Sequence, residues 1–190
     1  VNQVQVNEGI GPTFAAALRS FFPQDPDIIL VDQTRPLETA QIGIRAALTG
    51  HLVLTTLHTN DCPSTVARLL DMGIPPFLVS SALTLILAQR LGRKICKDCK
   101  QPYDADEESL VPYGHVPQGL GAVQFYKGKG CHTCSFTGMK GRVAIYEVMP
   151  INQQVREMIL RNAPTAEIRE AGVGVGMGTL RQKALQKGLR

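Results

Sequence analysis

Three features of this 190-residue chain predict an α/β fold with a separate cysteine-stapled region. Two short apolar runs, Ile28-Ile29-Leu30-Val31 and Leu52-Val53-Leu54-Thr55-Thr56-Leu57, are separated by a helical pattern through Glu38, Ala40, Ile42, Ile44 and Leu48. A second helical pattern, with Val66, Leu69 and Leu70, follows the second run. Strand, helix, strand, helix implies a parallel sheet with crossover helices, because parallel neighbours cannot be joined by a tight turn. The third feature is a pair of Cys-x-x-Cys motifs, Cys96/Cys99 and Cys131/Cys134, in a stretch too poor in apolar residues to hold itself together.

The elements follow in order. Thr13 to Phe22 suits a helix, with Thr13 as its cap and an Ala15-Ala16-Ala17 run inside it. Asp27 precedes the first apolar run, whose unbroken hydrophobicity is typical of a strand buried on both faces. Pro36 fits the first turn of the next helix, and Gly50 sits where its left-handed terminator is expected. Asp61 offers an N-cap, Pro63 fits the opening turn and Gly73 closes that helix. Pro76 to Leu91 is apolar but broken by Ser80, Ser81, Thr84 and Gln89, and is expected to be a buried helix. Gly92 to Gly141 is rich in Gly, Pro, Lys and Cys. Arg142 to Val148 alternates like a strand, and helices are expected over Gln153–Arg161, Thr165–Ala171 and Thr179–Lys187. Ala171 to Gly178 has the glycines of a phosphate loop, but no Lys-Ser or Lys-Thr pair closes it, so a flexible connector is expected. The domain division that follows is 1–91, 92–141 and 142–190.

Composition removes several function classes. Hydrophobic residues are 44% and charged residues 19% of the chain, which is ordinary for a folded domain and not for a disordered one. No apolar run reaches the roughly 18 residues that cross a bilayer. Val1 to Glu8 has no basic start followed by an apolar stretch, so no signal-peptide pattern is visible, and with no initial Met the first residue is expected to be a cut. Net charge is +4. Two basic clusters occur, Arg90/Arg93/Lys94/Lys97 and Arg181/Lys183/Lys187/Arg190. Aromatic residues for base stacking are few, so solvated faces or contacts to acidic partners are preferred to a nucleic-acid surface.

Three groups of residues carry chemistry. Two Cys-x-x-Cys knuckles can close a tetrahedral Zn²⁺ shell, and four protein ligands leave no open position, so Cys96, Cys99, Cys131 and Cys134 are expected to form a structural site. His132 lies within the second knuckle and is expected at the surface. Cys62, beside Pro63, is expected to be a small packed residue. Asp32, at the end of a buried strand, matches the pattern that delivers a carboxylate to Mg²⁺ and phosphate at a sheet's C-terminal edge. The strand from His51 to His58, ending in Thr59-Asn60, brings polar groups to the same sheet and suits a phosphate sensor.

The motifs run on in one order: Val1-Asn2-Gln3-Val4-Gln5-Val6-Asn7, Thr13-Phe14-Ala15, Gln24-Asp25-Pro26-Asp27, Leu37-Glu38-Thr39-Ala40, the histidine segment, Arg68-Leu69, Gln89-Arg90-Leu91 and the four cysteines. Gly141-Arg142-Val143-Ala144-Ile145-Tyr146-Glu147-Val148 and Met177-Gly178-Thr179-Leu180 complete the set. Across nearly its whole length the chain resembles the type IV pilus assembly and type II secretion ATPases, as their C-terminal half. Tyr146-Glu147-Val148-Met149-Pro150 is closer to the pilus extension motors.

The resemblance implies a RecA-like P-loop ATPase core, partial because its Walker A half is missing, a tetracysteine zinc subdomain and a C-terminal helical subdomain. It implies ATP and Mg²⁺ for the longer protein, a cytoplasmic homo-hexamer, and an inner-membrane platform protein as partner. By position, His58 is the histidine-box residue near the γ-phosphate and His51 supports it. Arg35 and Arg68 belong to the charge network that links nucleotide state to subunit packing. Gln33 stands where the family carries a catalytic glutamate. Its neutral amide can hold a water but cannot take a proton as a carboxylate does. Asp32 lies one position away. A hydrolysis-poor paralogue, an altered copy and an unusual active site all remain open. No Gly-x-x-x-x-Gly-Lys-Ser/Thr loop occurs in the chain. The expected function is ATP hydrolysis powering pilus assembly or type II secretion. The alternatives are a ring subunit that binds nucleotide without hydrolysing it and, more remotely, a zinc-ribbon nucleic-acid-binding module.

Overall fold

A computed structural model describes residues 2–6, 13–32, 37–103 and 124–188. The chain divides into two compact units, Val1–Ile86 with Met149–Met177 and Leu87–Val148 with Gly178–Arg190.

In the first unit, helix α1 (Phe14–Phe21) begins at Thr13, whose Oγ1 accepts the Ala16 N–H at 3.2 Å. A 3-10 turn over Phe22–Gln24 leads to strand β1 (Ile28–Val31). Helix α2 (Leu37–Leu48) then crosses over to strand β2 (Leu52–Thr55). The two strands pair in parallel, in the register Ile28↔Leu52 to Val31↔Thr55. Helix α2 stops through a paired terminator: Gly50 N–H donates to Ala47 O and His51 N–H to Ala46 O, both at 3.2 Å. Gly50 takes φ +104°, a conformation that favours glycine.

Ala15 and Leu18 of α1, Ile29 and Val31 of β1, and Ile42 and Ala46 of α2 form one core cluster, closed by Phe21, Phe22 and Val53. The opposite face of the strand pair is open. Ile28 and Leu30 are 60% and 71% exposed. The expectation that β1 is buried on both faces therefore holds for one face among the described residues, because α1 and α2 both cover the Ile29/Val31 side.

Helix α3 (Cys62–Asp71) starts as its sequence predicts. Asp61 Oδ1 accepts the Ser64 N–H at 2.8 Å, Pro63 sits in the first turn, and Gly73 at φ +89° follows the end. The apolar run after Pro76 does not remain helical. Helix α4 spans only Pro76–Ala82, and Leu85–Ile95 is strand β3. Its first residues alternate, with Leu85 and Leu87 exposed and Ile86 and Ala88 buried, and its neighbour is strand β6 (Met139–Pro150). Ile151 N–H donates to Thr84 O beyond one end of the pair and Cys96 N–H to Gly138 O beyond the other, so the strands run in opposite directions. A partner some fifty residues away along the chain thus overrides an ambiguous local pattern.

Helix α5 (Gln153–Leu160) is capped by Asn152, whose Oδ1 accepts the Val155 N–H at 2.9 Å. Helices α5 and α6 (Thr165–Gly174) pack against each other, α5 also on α4 and α6 on α3. Val155, Ile159 and Ile168 are buried there along with Val66, Ile74 and Val79. These helices therefore belong to the first unit, and the compact units cut across the chain-order division 1–91, 92–141, 142–190. The glycine-rich stretch is also more ordered than expected: Ala171 to Gly174 form the last turn of α6, and Met177 N–H donates to Gly172 O at 2.9 Å. A Cβ on Gly172 would lie 3.0 Å from Met177 Cε, so the glycine lets the Met177 side chain close over the helix.

In the second unit, β4 (Lys100–Tyr103) and β5 (Phe125–Gly128) pair antiparallel from Lys100↔Gly128 to Tyr103↔Phe125. Helix α7 (Leu180–Gly188) opens with a reciprocal cap. Gln182 Oε1 accepts the Thr179 N–H at 2.9 Å, and Thr179 Oγ1 accepts the Gln182 N–H at 3.3 Å. The buried Glu147 carboxylate accepts the Leu180 N–H at 3.0 Å. No helix among the described residues is long and apolar enough to cross a membrane.

Ile159 is fully buried and its neighbour Leu160 is 52% exposed. Ile159→Ala is expected to lower unfolding free energy by about 2–5 kcal/mol in urea titration, and Leu160→Ala by about 0.5 kcal/mol or less.

Candidate functional site

The C-terminal edge of the β1–β2 pair carries the first candidate site. Because Val31 pairs with Thr55, Asp32 and Thr56 leave the sheet side by side, and Thr56 Oγ1 donates to Asp32 Oδ1 at 2.9 Å. The segment from Thr56 to Asn60 continues from this point without regular secondary structure and holds His58 exposed. Its far end is tied to the first turn of α3. The Thr59 and Thr65 hydroxyls are 2.8 Å apart, and Thr65 Oγ1 also donates to Asp61 O at 3.2 Å.

Asp61 is engaged by both carboxylate oxygens, Oδ1 by Ser64 N–H and Oδ2 by Arg169 Nη2 at 2.6 Å. Partial burial works to raise its pKa, but the Ser64 hydrogen bonds and the Arg169 charge outweigh it and hold the carboxyl below the usual value.

His51 lies at the opposite end of β2 from Asp32. Its Nδ1 is 3.1 Å from Ala46 O and 3.2 Å from Thr49 Oγ1, and Phe22 meets the ring edge-on at 5.7 Å. A carbonyl only accepts, so Nδ1 carries the proton and the ring helps terminate α2. Arg68, on the last turn of α3, is exposed and makes no ion pair with the described residues. Gln33 and Arg35 lie outside the described residues. The structure thus brings together Asp32 and Thr56, with His58 on the same segment. Thr56 is the hydroxyl that sequence reasoning did not single out, although its place one residue past a strand parallel to β1 was the available signal. Nothing local marks Arg169, which is 108 residues from Asp61.

The second site is the thiol tetrad in the second unit. All four Sγ atoms lie within 4.8 Å of one another. Cys96–Cys131 and Cys99–Cys134 are each 3.9 Å apart and Cys131–Cys134 is 3.7 Å. A tetrahedral Zn²⁺ with Zn–S bonds of about 2.3 Å places its sulfurs about 3.8 Å apart, so the tetrad has the size of that shell. Each knuckle is a 3-10 turn, Lys97–Cys99 and His132–Cys134.

Backbone amides point at the sulfurs: Gly130 N–H at Cys99 (3.3 Å), Cys131 N–H at Cys134 (3.2 Å) and Gly138 N–H at Cys134 (3.3 Å). These donors favour thiolate, the form that binds metal. Burial works to raise the Cys134 pKa, yet its amide donors and neighbouring thiols bring it down to about 6. Burial pushes Cys99 the other way, to about 12, as expected when adjoining thiols cannot all ionise without a cation among them. His132 is exposed, its ring against Phe136 at 4.8 Å, and is not one of the tetrad. Cys62 is fully buried, with its thiol 3.5 Å from Ile86 O, as a packed residue.

A parallel strand–helix–strand unit with an acid, a hydroxyl and a histidine-bearing segment at its C-terminal edge, joined to a cysteine-stapled unit, defines an α/β protein built around one sheet edge and one metal-sized thiol cluster. The chain belongs to the type II/IV secretion system protein family, whose model matches residues 1–190. It is 52% identical over 188 residues to the type IV pilus assembly ATPase PilB of Myxococcus xanthus, covering 98% of this chain and 33% of that protein. To the type II secretion system protein E of Pectobacterium carotovorum it is 44% identical over 187 residues, covering 98% and 36%. The chain thus spans about a third of the length of these curated relatives. Among solved structures it is similar to the pilus retraction motor PilT with bound ADP, with TM-score 0.60 and 28% identity over 92% of this chain and 39% of that one. The ATPase DotB of Legionella pneumophila, at TM-score 0.58 and 22% identity over 93% and 38%, shares the fold.

The second knuckle depends on a close backbone approach. A Cβ on Gly128 would lie 2.0 Å from Gly138 O, whereas one on Gly174 meets nothing within 4 Å. Gly128→Ala is expected to lower the melting temperature and speed labelling of the knuckle cysteines by a maleimide. Gly174→Ala should be neutral or stabilise by up to about 1 kcal/mol.

Proposed function

We propose that this chain is the C-terminal part of a motor ATPase with a RecA-like core, which hydrolyses ATP to drive type IV pilus assembly or the related type II secretion step. The supporting observation is the Thr56–Asp32 hydrogen bond at the C-terminal edge of a parallel sheet, with His58 on the segment leaving that edge. In open α/β sheets that edge is where ligands sit. Relatives named as pilus assembly ATPases, at up to 52% identity, support the same reading.

Each residue then has a task. Asp32, oriented by Thr56, holds the hydration shell of the Mg²⁺ that accompanies ATP. His58 senses the γ-phosphate, and Gln33 orients the attacking water through its amide. Arg35 and Arg68 join neighbouring subunits' charge networks. His51 acts from the far edge, through the end of α2, and supports the placement of β2. ATP and Mg²⁺, when bound, supply the phosphoryl group and the charge neutralisation its transfer needs. No Gly-x-x-x-x-Gly-Lys-Ser/Thr sequence is present in these residues, so turnover is proposed for the longer protein. Six copies form a ring at the cytoplasmic face of the inner membrane, on a platform protein of the pilus or secretion machine. Cys96, Cys99, Cys131 and Cys134 hold a structural Zn²⁺ with all four positions filled.

Steady-state ATP turnover of the full-length protein tests the reading. Asp32→Asn and His58→Ala are each expected to lower kcat by about 10²-fold or more. Absence of turnover in the parent and in a Gln33→Glu variant would sink the motor assignment. Turnover in the Gln33→Glu variant alone would make this a ring subunit that binds nucleotide and has lost its general base. Metal analysis is expected to find one zinc per chain, lost in Cys134→Ser. Retention of zinc in that variant would remove Cys134 from the shell.

A further inference from the structure

The Asp61–Arg169 pair stands apart from the other ion pairs among the described residues. Arg161–Glu167 is local and largely exposed, and Arg19–Glu38 joins two neighbouring surface helices. Arg169 reaches from α6 to the residue that ends the His58 segment, 108 positions earlier in the chain. The Asp61 side chain is 21% exposed and that of Arg169 48%, so the pair adds little to global stability. Nor does α6 need it to stay in place, since Ile168 and Ala171 are buried and Met177 closes over Gly172.

What the pair does determine is local. Residues 56–60 belong to no strand or helix, and their ends are anchored by different elements. At the front, Thr56 is held to Asp32. At the back, Asp61 is held by α3 through Oδ1 and by α6 through Oδ2. With a carboxylate oxygen on each partner, the Asp61 side chain cannot rotate to follow one without leaving the other. His58 lies between the anchors, three residues before Asp61.

We propose that Arg169 is a positioning residue for the His58 segment, its guanidinium fixing the Asp61 carboxylate and thereby the path of residues 57–61. The consequence for catalysis rests on the reading of His58 as a nucleotide-facing residue. The positional claim does not.

Two measurements on the full-length protein separate the claims. Hydrogen–deuterium exchange of a peptide covering residues 57–61 is expected to quicken several-fold in Arg169→Gln, with peptides from α1 and β1 unchanged. Asp61→Asn, which keeps an oxygen for the Ser64 cap, should reproduce the effect, and Arg169→Lys should restore most of the protection. Arg161→Gln, which breaks the local pair, should leave that peptide alone. In ATP turnover, Arg169→Gln is expected to lower kcat several-fold with KM unchanged, and Arg169→Lys to recover much of it. Unchanged exchange over 57–61 in both Arg169→Gln and Asp61→Asn would overturn the positional claim. So would an increase spread across the whole unit with a matching fall in melting temperature. Altered exchange with unaltered kcat would overturn the catalytic consequence alone. A parent that does not turn over ATP would defeat the proposed function and leave the exchange result to decide the positional claim.

Discussion

The parallel register of β1 on β2 is the constraint on which the first unit depends. A slip of one residue would exchange the two faces of a strand, exposing Ile29 and Val31 and turning Ile28 and Leu30 toward α1 and α2. It would also set a different neighbour beside Asp32 in place of Thr56. Register in a parallel pair cannot come from a hairpin turn, so it must come from the crossover. Here α2 is stopped by Gly50 and His51, and the chain re-enters the sheet at once, with Leu52 N–H on Asp27 O at 3.0 Å. The His51 ring reinforces that stop through the Ala46 carbonyl. His51, at the far end of β2, thus helps decide that Asp32 and Thr56 leave the sheet side by side.

The second unit is held by different physics. Among its described residues the buried apolar side chains are Ala88, Cys96 and Cys134. Burial of one alanine and two cysteines cannot offset the conformational entropy of ordering two strand pairs and a helix. Among the described residues of this unit the tetrad takes the place of an apolar cluster. Its sulfurs gather four positions from two distant stretches, and the amides of Gly130, Cys131 and Gly138 favour the charged form that a cation needs. Metal affinity in such a cluster is folding free energy. The first unit, with Cys62, Val66, Val79 and Ile159 fully buried, has no such need.

What could be read from the sequence divides along the same line. Thr13, Gly50 and Asp61 act on backbone groups a few residues away, so their roles as caps and terminator were legible. The cysteines were legible because each knuckle is a local turn, although the knuckles themselves meet across 35 residues. Leu85 to Ile95 was not legible. Its apolar residues suit a helix continuing α4 as well as a strand, and only pairing with β6 settles the matter. The packing of α5 and α6 on α3 and α4 was hidden for a similar reason, since an amphipathic helix does not name the face it covers. The uninterrupted hydrophobicity of Ile28 to Val31 predicted two covered faces. Among the described residues α1 and α2 cover only the Ile29/Val31 face, and Ile28 and Leu30 are exposed on the other.

The candidate nucleotide edge is where these constraints meet. A strand pair can present an acid and a hydroxyl with the precision of its own hydrogen bonds, and Asp32 and Thr56 have that support. His58 does not. It lies three residues past Thr55, the last residue with a partner on β1, on a segment whose rear anchor is the first turn of a helix. Its position is therefore set jointly by the sheet register and by the packing of α3 against α6. A side chain placed by two separate elements shifts when either moves, whereas one placed by a single strand responds only to that strand. The rear of the His58 segment is tied to α6 through the Asp61–Arg169 pair, so displacement of α6 is transmitted to the segment and displacement of the segment to α6.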